Sequence, residues 1–304
     1  MKFIAILVFA MIALFPSIGA SQQAAVHIGS HSDSNSNNSN YISFEHRQSF
    51  NSISTRTYFI TSGGEDRQGR LDYTSLGSEI TIPFRRLYST ASVRRNSINS
   101  EFTNISRELR IGVSPNWSSP VPYSLYAAAF KEYPLYTPIL ARNQIRVDGM
   151  RLGGSINPTS NVYASHLFEI ADYSDTNRHE IYSTGVRYTF DNRFFVGASH
   201  YHRHNLFNTN LYWSPNRYNS YSLPFGYDFL WDAEPIQGFV QLSPGIQAEH
   251  NQSYRFAGSF RTNLSYKLTN SFWLDGWLYW SNSSYFSNTG YSSTSYGTGL
   301  RYRF

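Results

Sequence analysis

Ten side chains have the types and spacing to bind an anionic or sugar-like molecule together: Arg187, Arg203, Arg255, Arg261, Lys267, Trp273, Asp275, Trp277, Arg301 and Arg303. A cation attracts an anion at long range, an indole face stacks on the apolar face of a sugar ring, and a carboxylate accepts bonds from hydroxyls. The spacing matters as much as the types. Trp273, Asp275, Trp277 and Tyr279 recur at period two, opposite Phe272, Leu274, Leu278 and Trp280. On a strand, that period places each set on its own face. Arg255, Arg261 and Lys267 share a face with Ser259, Asn263 and Ser265, opposite Phe256, Phe260, Leu264 and Tyr266. Arg301 and Arg303 alternate with Leu300, Tyr302 and Phe304 at the C-terminus. A second reading stays open for Trp273 and Trp277: a strand greasy on both sides, packing an inward-folded loop.

Other chemistry finds less support. His200, His202 and His204 alternate on one face beside Phe194 and Val196. Same-face neighbours on a strand stand roughly 6.5–7 Å apart, whereas zinc needs imidazoles converging at about 2 Å from one ion. A structural role at a lipid interface fits them better than a metal site. Ser165–His166 and Ser199–His200 are sequence neighbours, so on strands they point to opposite faces and form no dyad. The His-x-Ser-Asn-Gly setting of outer-membrane phospholipases is absent, and no acid pair matches that of the omptin proteases. With no cysteine there is neither a disulfide nor a thiolate metal site. No catalytic residue, metal or cofactor is expected.

The elements that would position these faces are antiparallel strands. The chain holds 24 Tyr, 22 Phe and 6 Trp yet is only 15% charged, with a mean hydropathy of −0.42. A transmembrane barrel reconciles these values, because only alternate residues meet lipid and aromatic residues gather at the interfaces. Residues 1–20, with Lys2, an apolar run and Pro16, Ser17, Gly19 and Ala20, read as a secretory signal peptide. Removing Lys2 takes the formal charge from +5 to +4, and no basic run points to nucleic acid. Residues 21–40, rich in Ser, Asn, Gln and His, read as a flexible periplasmic leader. Residues 41–304 then form an all-β, up-and-down antiparallel transmembrane barrel of about 12 strands, within limits of 10 to 16. Residues 115–143 read as a long external loop that folds inward. Counting back from the C-terminus at the periplasmic rim places residues 269–270 and 191–192 inside, and residues 282–291 and 205–220 outside.

Parity assigns Arg85, Arg110 and Arg146 to the lumen along with the cations already named. The acids assigned there are Glu79, Glu108, Asp148, Glu169, Asp228 and Asp275. A water-filled lumen would then be mildly cationic and favour anions. The same residues could instead pair across the barrel and plug it.

One stretch carries a resemblance. Tyr212, Trp213, Ser214, Pro215, Asn216, Arg217 and Tyr218, then residues 221–231 and Ser243-Pro244-Gly245, resemble the Tyr-Phe-Ser-Pro-x-x-Tyr loop and following strands of exopolysaccharide-export barrels. The similarity is to the C-terminal barrel of cellulose-export outer-membrane proteins and runs from about Phe194 to Phe304. Those proteins carry long helical repeats before a barrel of more strands, where this chain has a short polar leader. The resemblance implies glycan export. The terminal Tyr302 and Phe304 resemble the signal read by barrel-assembly machinery. The expectation is therefore a Gram-negative outer-membrane channel, surrounded by lipid and lipopolysaccharide, passing a polysaccharide or small anionic solute. The alternatives are a structural or adhesive barrel binding a surface partner through its outer loops, and a lipid-modifying enzyme.

Overall fold

The computed structural model describes residues 21–33, 38–50, 52–66, 69–99, 102–113, 121–133, 143–209, 214–230, 235–250, 252–283 and 291–303. The first strands are β1 (Ser21–Asp33), β2 (Asn38–Phe50), β3 (Ile53–Asp66), β4 (Gly69–Phe84), β5 (Leu87–Ile98) and β6 (Phe102–Val113). Next come β7 (Tyr123–Glu132), β8 (Val147–Thr159), β9 (Val162–Tyr173), β10 (Arg178–Thr189) and β11 (Phe194–Asn205). The last are β12 (Arg217–Ser222), β13 (Phe225–Phe229), β14 (Ile236–Glu249), β15 (Arg255–Lys267), β16 (Phe272–Ser283) and β17 (Tyr291–Arg303). Neighbours run antiparallel, and β17 closes on β1 from Gln23↔Arg303 to Asp33↔Ser293. Closure satisfies both edges, which a lipid environment demands.

β12 and β13 are two halves of one stave, since each pairs with both β11 and β14. The break falls at Leu223–Pro224, where proline has no N–H to donate. Gly197 N donates to the Pro224 carbonyl at 2.7 Å, and Leu223 N to that of Pro244 at 2.9 Å. The barrel therefore has sixteen staves, not about 12.

Two of the uncounted staves lay in segments read otherwise. Residues 21–33 are not a leader but β1, paired on both sides. Its outward residues Ala24, Val26 and Ile28 are small or few, and His27 and His31 face inward, so mean polarity hid the alternation. β7 runs through the supposed inward-folding loop at 115–143, paired with β6 and β8. Alanines at 127, 128 and 129 fall on both of its faces and blur the period. The rest of that loop lies largely outside the described residues.

Contacts that skip a stave identify the inner face, because only across the concave side can such strands touch. Arg151 on β8 reaches Glu108 on β6 at 3.2 Å, and Arg203 on β11 reaches Tyr173 on β9 at 2.9 Å. Arg301 on β17 reaches Ser265 on β15 at 3.0 Å. Parity from these points turns Leu76, Ile105, Met150, Phe256 and Tyr296 outward, with Met150 65% and Phe256 67% exposed. A contiguous apolar outer band of this kind fits lipid rather than water.

The two ends differ. At the end holding Ser21 and Arg303 most turns are tight, with only residues 85–86 between β4 and β5 and 160–161 between β8 and β9, although 114–122 separate β6 from β7. At the other end, connections span 133–146 and 206–216. The expected grouping of 191–192 and 269–270 at one end, and 205–220 and 282–291 at the other, matches this arrangement.

Inside, aromatic rings lie flat over glycines on the neighbouring stave. Tyr41 covers Gly29, Tyr58 covers Gly77, Tyr88 covers Gly112, Tyr126 covers Gly153 and Trp277 covers Gly297, each pair in direct register. A methyl group added at Gly29, Gly112 or Gly153 would sit 2.5 Å from the ring. These joints hold the rings against the wall and out of the central space.

Candidate functional site

Parity turns Arg47, Arg56, Arg94, Arg110, Arg151, Arg187, Arg203, Arg255, Arg261, Lys267, Arg301 and Arg303 inward among the described strand residues. The inward acids are Asp33, Glu45, Glu79, Glu108, Glu132, Glu169, Asp228, Glu249 and Asp275, so twelve cations face nine acids. The excess is cationic, as expected, but the membership differs. Arg146 and Asp148 pair with each other at 2.7 Å on the outer wall. Asp148 stands opposite Lys131 and Asp172 on an outward rung, while inward β8 carries Val147, Gly149 and Arg151. Arg85 occupies the β4–β5 turn with φ 56° and belongs to neither wall. Arg47, Arg56, Arg94 and Arg151 were missed. On β2, β3 and β5 polar residues such as His46, Thr57 and Ser89 interrupt the outward face and blur the parity, whereas on β8 the outward Met150, Leu152 and Ile156 did carry it.

Charges are not spread evenly. Arg151 is the hub of one cluster, paired with Glu169, with Glu108 at 3.2 Å and with Glu132 at 3.3 Å, and stacked 4.0 Å above Phe130. Glu169 also bonds His179 Nε2 at 2.7 Å, and His179 Nδ1 meets the Tyr173 hydroxyl at 2.8 Å. That hydroxyl accepts from Arg203. The cluster knits β6 to β11 and gives each of its acids a cationic partner. Toward the short-turn rim, Arg187 pairs with Asp228 and stacks 3.8 Å above Phe195. Across the barrel, Glu45 takes both Arg47 and Arg56.

The surplus charge gathers on β15. Arg255, Arg261 and Lys267 all face inward, are exposed, and have no acidic partner among the described residues. Spread over twelve residue steps, they span about 40 Å along the strand. In direct register on β16, Trp273 faces Lys267, Trp277 faces Asn263 and Tyr279 faces Arg261. Arg301 lies 5.5 Å from the Trp273 ring and bonds Asp275 at 2.8 Å, while Ser265 also donates to Asp275. Trp277 sits edge-on to His27 at 5.7 Å and stacks near Tyr41 at 6.4 Å. Trp273 and Trp277 thus line the inner wall within a polar surround. Arg303, opposite Gln23, extends the stripe to the short-turn rim. Parity placed the ten expected residues on the inner wall; Arg187, Arg203, Asp275 and Arg301 engage protein partners, while β15 supplies cations free of acids.

The Ser-Pro motif has a local job. Ser214 and Pro215 are buried; Ser214 Oγ accepts from Thr209 N at 2.8 Å, and the Pro215 carbonyl accepts from Asn205 Nδ2 at 2.7 Å. These bonds tie Thr209 to Ser214, and Pro215 to the end of β11. Tyr218 belongs to β12 rather than to the loop and faces inward, donating to Gln247 at 2.6 Å. Pairing of Tyr218 with Glu249 and of Arg217 with His204 carries the strand two residues into the motif. Tyr212, Trp213 and Phe304 lie outside the described residues. Tyr302 faces outward against Phe272 at 4.6 Å. His200, His202 and His204 face outward; His200 stacks on Tyr221 at 4.6 Å and His202 bonds Asn219 at 2.8 Å.

No family model matches the chain, and no curated protein matches it. Solved structures do. A bacterial polysaccharide outer membrane secretin superposes with TM-score 0.73 at 11% identity, over 94% of this chain and 98% of that one. CdiB from Acinetobacter baumannii gives 0.59 at 9% identity, over 92% of this chain and 60% of that one. OpdK of Pseudomonas aeruginosa, solved with vanillate, gives 0.53 at 7% identity, over 94% and 99%. The fold is thus that of outer-membrane channel barrels, and it resembles the barrel of a polysaccharide secretin.

Proposed function

We propose that the chain is an outer-membrane channel for a polysaccharide or another anionic solute, with the β15–β16 stripe as its lane. The observation that carries this reading is the run of Arg255, Arg261 and Lys267, free of acidic partners among the described residues, beside an aromatic row in which Trp273 faces Lys267, Trp277 faces Asn263 and Tyr279 faces Arg261. Evenly spaced cations let an anion move between weak sites rather than lodge in one. The aromatic faces offer stacking surface for sugar rings. In this reading residues 1–20 direct export, Tyr302 and Phe304 are read during assembly, and the short-turn end faces the periplasm. The fold resemblance to a polysaccharide secretin supports the solute class; no catalytic residue is assigned.

Reversal potentials across a salt gradient test the lane. The refolded barrel is expected to prefer chloride over potassium, and the R255Q/R261Q/K267Q variant to bring that preference severalfold closer to unity. Unchanged selectivity would place the conducting path away from β15.

A further inference from the structure

The outer wall carries a second cationic site. Outward Asp, Glu, Lys and Arg on the described strands fall only in the half nearest the long connections; the wall below is apolar or neutral. Within this collar Arg70 pairs with Asp72 at 3.0 Å, and Arg146 with Asp148 and Arg178 with Asp172, both at 2.7 Å. Arg95 on β5, Arg107 on β6 and Lys131 on β7 form a group of three cations outside these pairs. Arg107 is directly opposite Lys131, and Arg95 is its diagonal neighbour, opposite Ile105. Arg95 and Arg107 are exposed and stand in no ion pair among the described residues, while Lys131, partly exposed, lies opposite Asp148, whose carboxylate Arg146 already holds. Cross-strand spacings of about 4.5–8 Å put these like charges in mutual repulsion. Below them the wall presents Val93, Leu109 and Ala129.

We infer that Arg95, Arg107 and Lys131 bind the phosphate groups of an outer-leaflet glycolipid whose acyl chains lie against the apolar wall beneath. The inference rests on the outer-membrane orientation proposed above. A ligand for this site needs anionic oxygens at the level of the collar and hydrocarbon directly below. A phosphorylated lipid has both; free phosphate has only the first. Arginine forks suit phosphate geometry, and long side chains reach up to the headgroup level.

Native mass spectrometry of the refolded barrel in detergent tests this, with diphosphorylated lipid A as the probe. Wild type is expected to retain the lipid, and R95Q/R107Q/K131Q to lose about tenfold or more in apparent affinity. The R217Q control, an exposed outward cation on β12 and so outside the site, is expected to bind as wild type does. Should the triple variant not fold, judged by heat-dependent gel mobility, R107Q alone is expected to lose about threefold. Equal binding by the folded variant, equal binding of fully dephosphorylated lipid A, or displacement by millimolar inorganic phosphate would each overturn the assignment. Loss of anion selectivity in the bilayer experiment would overturn the lane and leave this result standing, so the two failures are separable.

Discussion

Arg151→Met is expected to destabilise the folded barrel by about 2–4 kcal/mol, more than any other single neutralisation on the inner wall. Arg151 is 22% exposed and serves Glu108, Glu132 and Glu169, whose side chains are 16%, 30% and 9% exposed. Methionine keeps the packing over Phe130 but leaves three carboxylates converging on an uncharged position. Arg110 still holds Glu108 at 2.7 Å, and His179 still bonds Glu169. Partial exposure softens the penalty, which is why the figure lies below the range for fully buried pairs. The readout is the urea midpoint for refolding into vesicles. Pairing Arg151→Met with Glu169→Gln should recover part of the loss, since it removes the carboxylate left most deeply buried. A midpoint equal to wild type would show that the cluster contributes nothing net.

Gly153→Val is expected to cost about 1–3 kcal/mol by overpacking, or to block assembly outright. A Cβ there would meet the Tyr126 ring at 2.5 Å, and the ring has little freedom to withdraw because Arg110 stands 4.8 Å from its centre. The telling comparison is Gly153→Val with Tyr126→Ala, which should fold better than Gly153→Val alone. If the double variant folds no better, the joint is not what limits the single one. Gly185 is the control: a methyl there meets nothing nearer than 3.7 Å, so Gly185→Ala should be nearly silent.

The C-terminal third was legible because its strands separate apolar from polar residues cleanly. Tyr254 to Leu268 and the run ending in Tyr302 announce two faces, and the lumen side of Arg255, Arg261, Lys267 and Arg301 followed by parity. β1 was not legible, since Gln23, Ala25, His27 and Gly29 alternate with residues hardly more apolar, and only pairing with β17 and β2 makes the strand. β7 failed for a related reason: alanines on both faces erase the period. Lumen aromatics such as Tyr58 and Tyr126 also run against a greasy-out rule. Their spacing makes sense only once the facing glycines Gly77 and Gly153 are known, and those lie on other staves. The Arg151 cluster joins residues from β6, β7, β8 and β9, so no local spacing could have assembled it.

Planar-bilayer recording of refolded residues 21–304 is the most direct test of the proposed water-filled, anion-favouring path through the barrel. The account predicts discrete current steps with a reversal potential displaced toward that of chloride under a salt gradient. Stable insertion without current, persisting after residues 134–142 are removed so that β7 is spared, would contradict it.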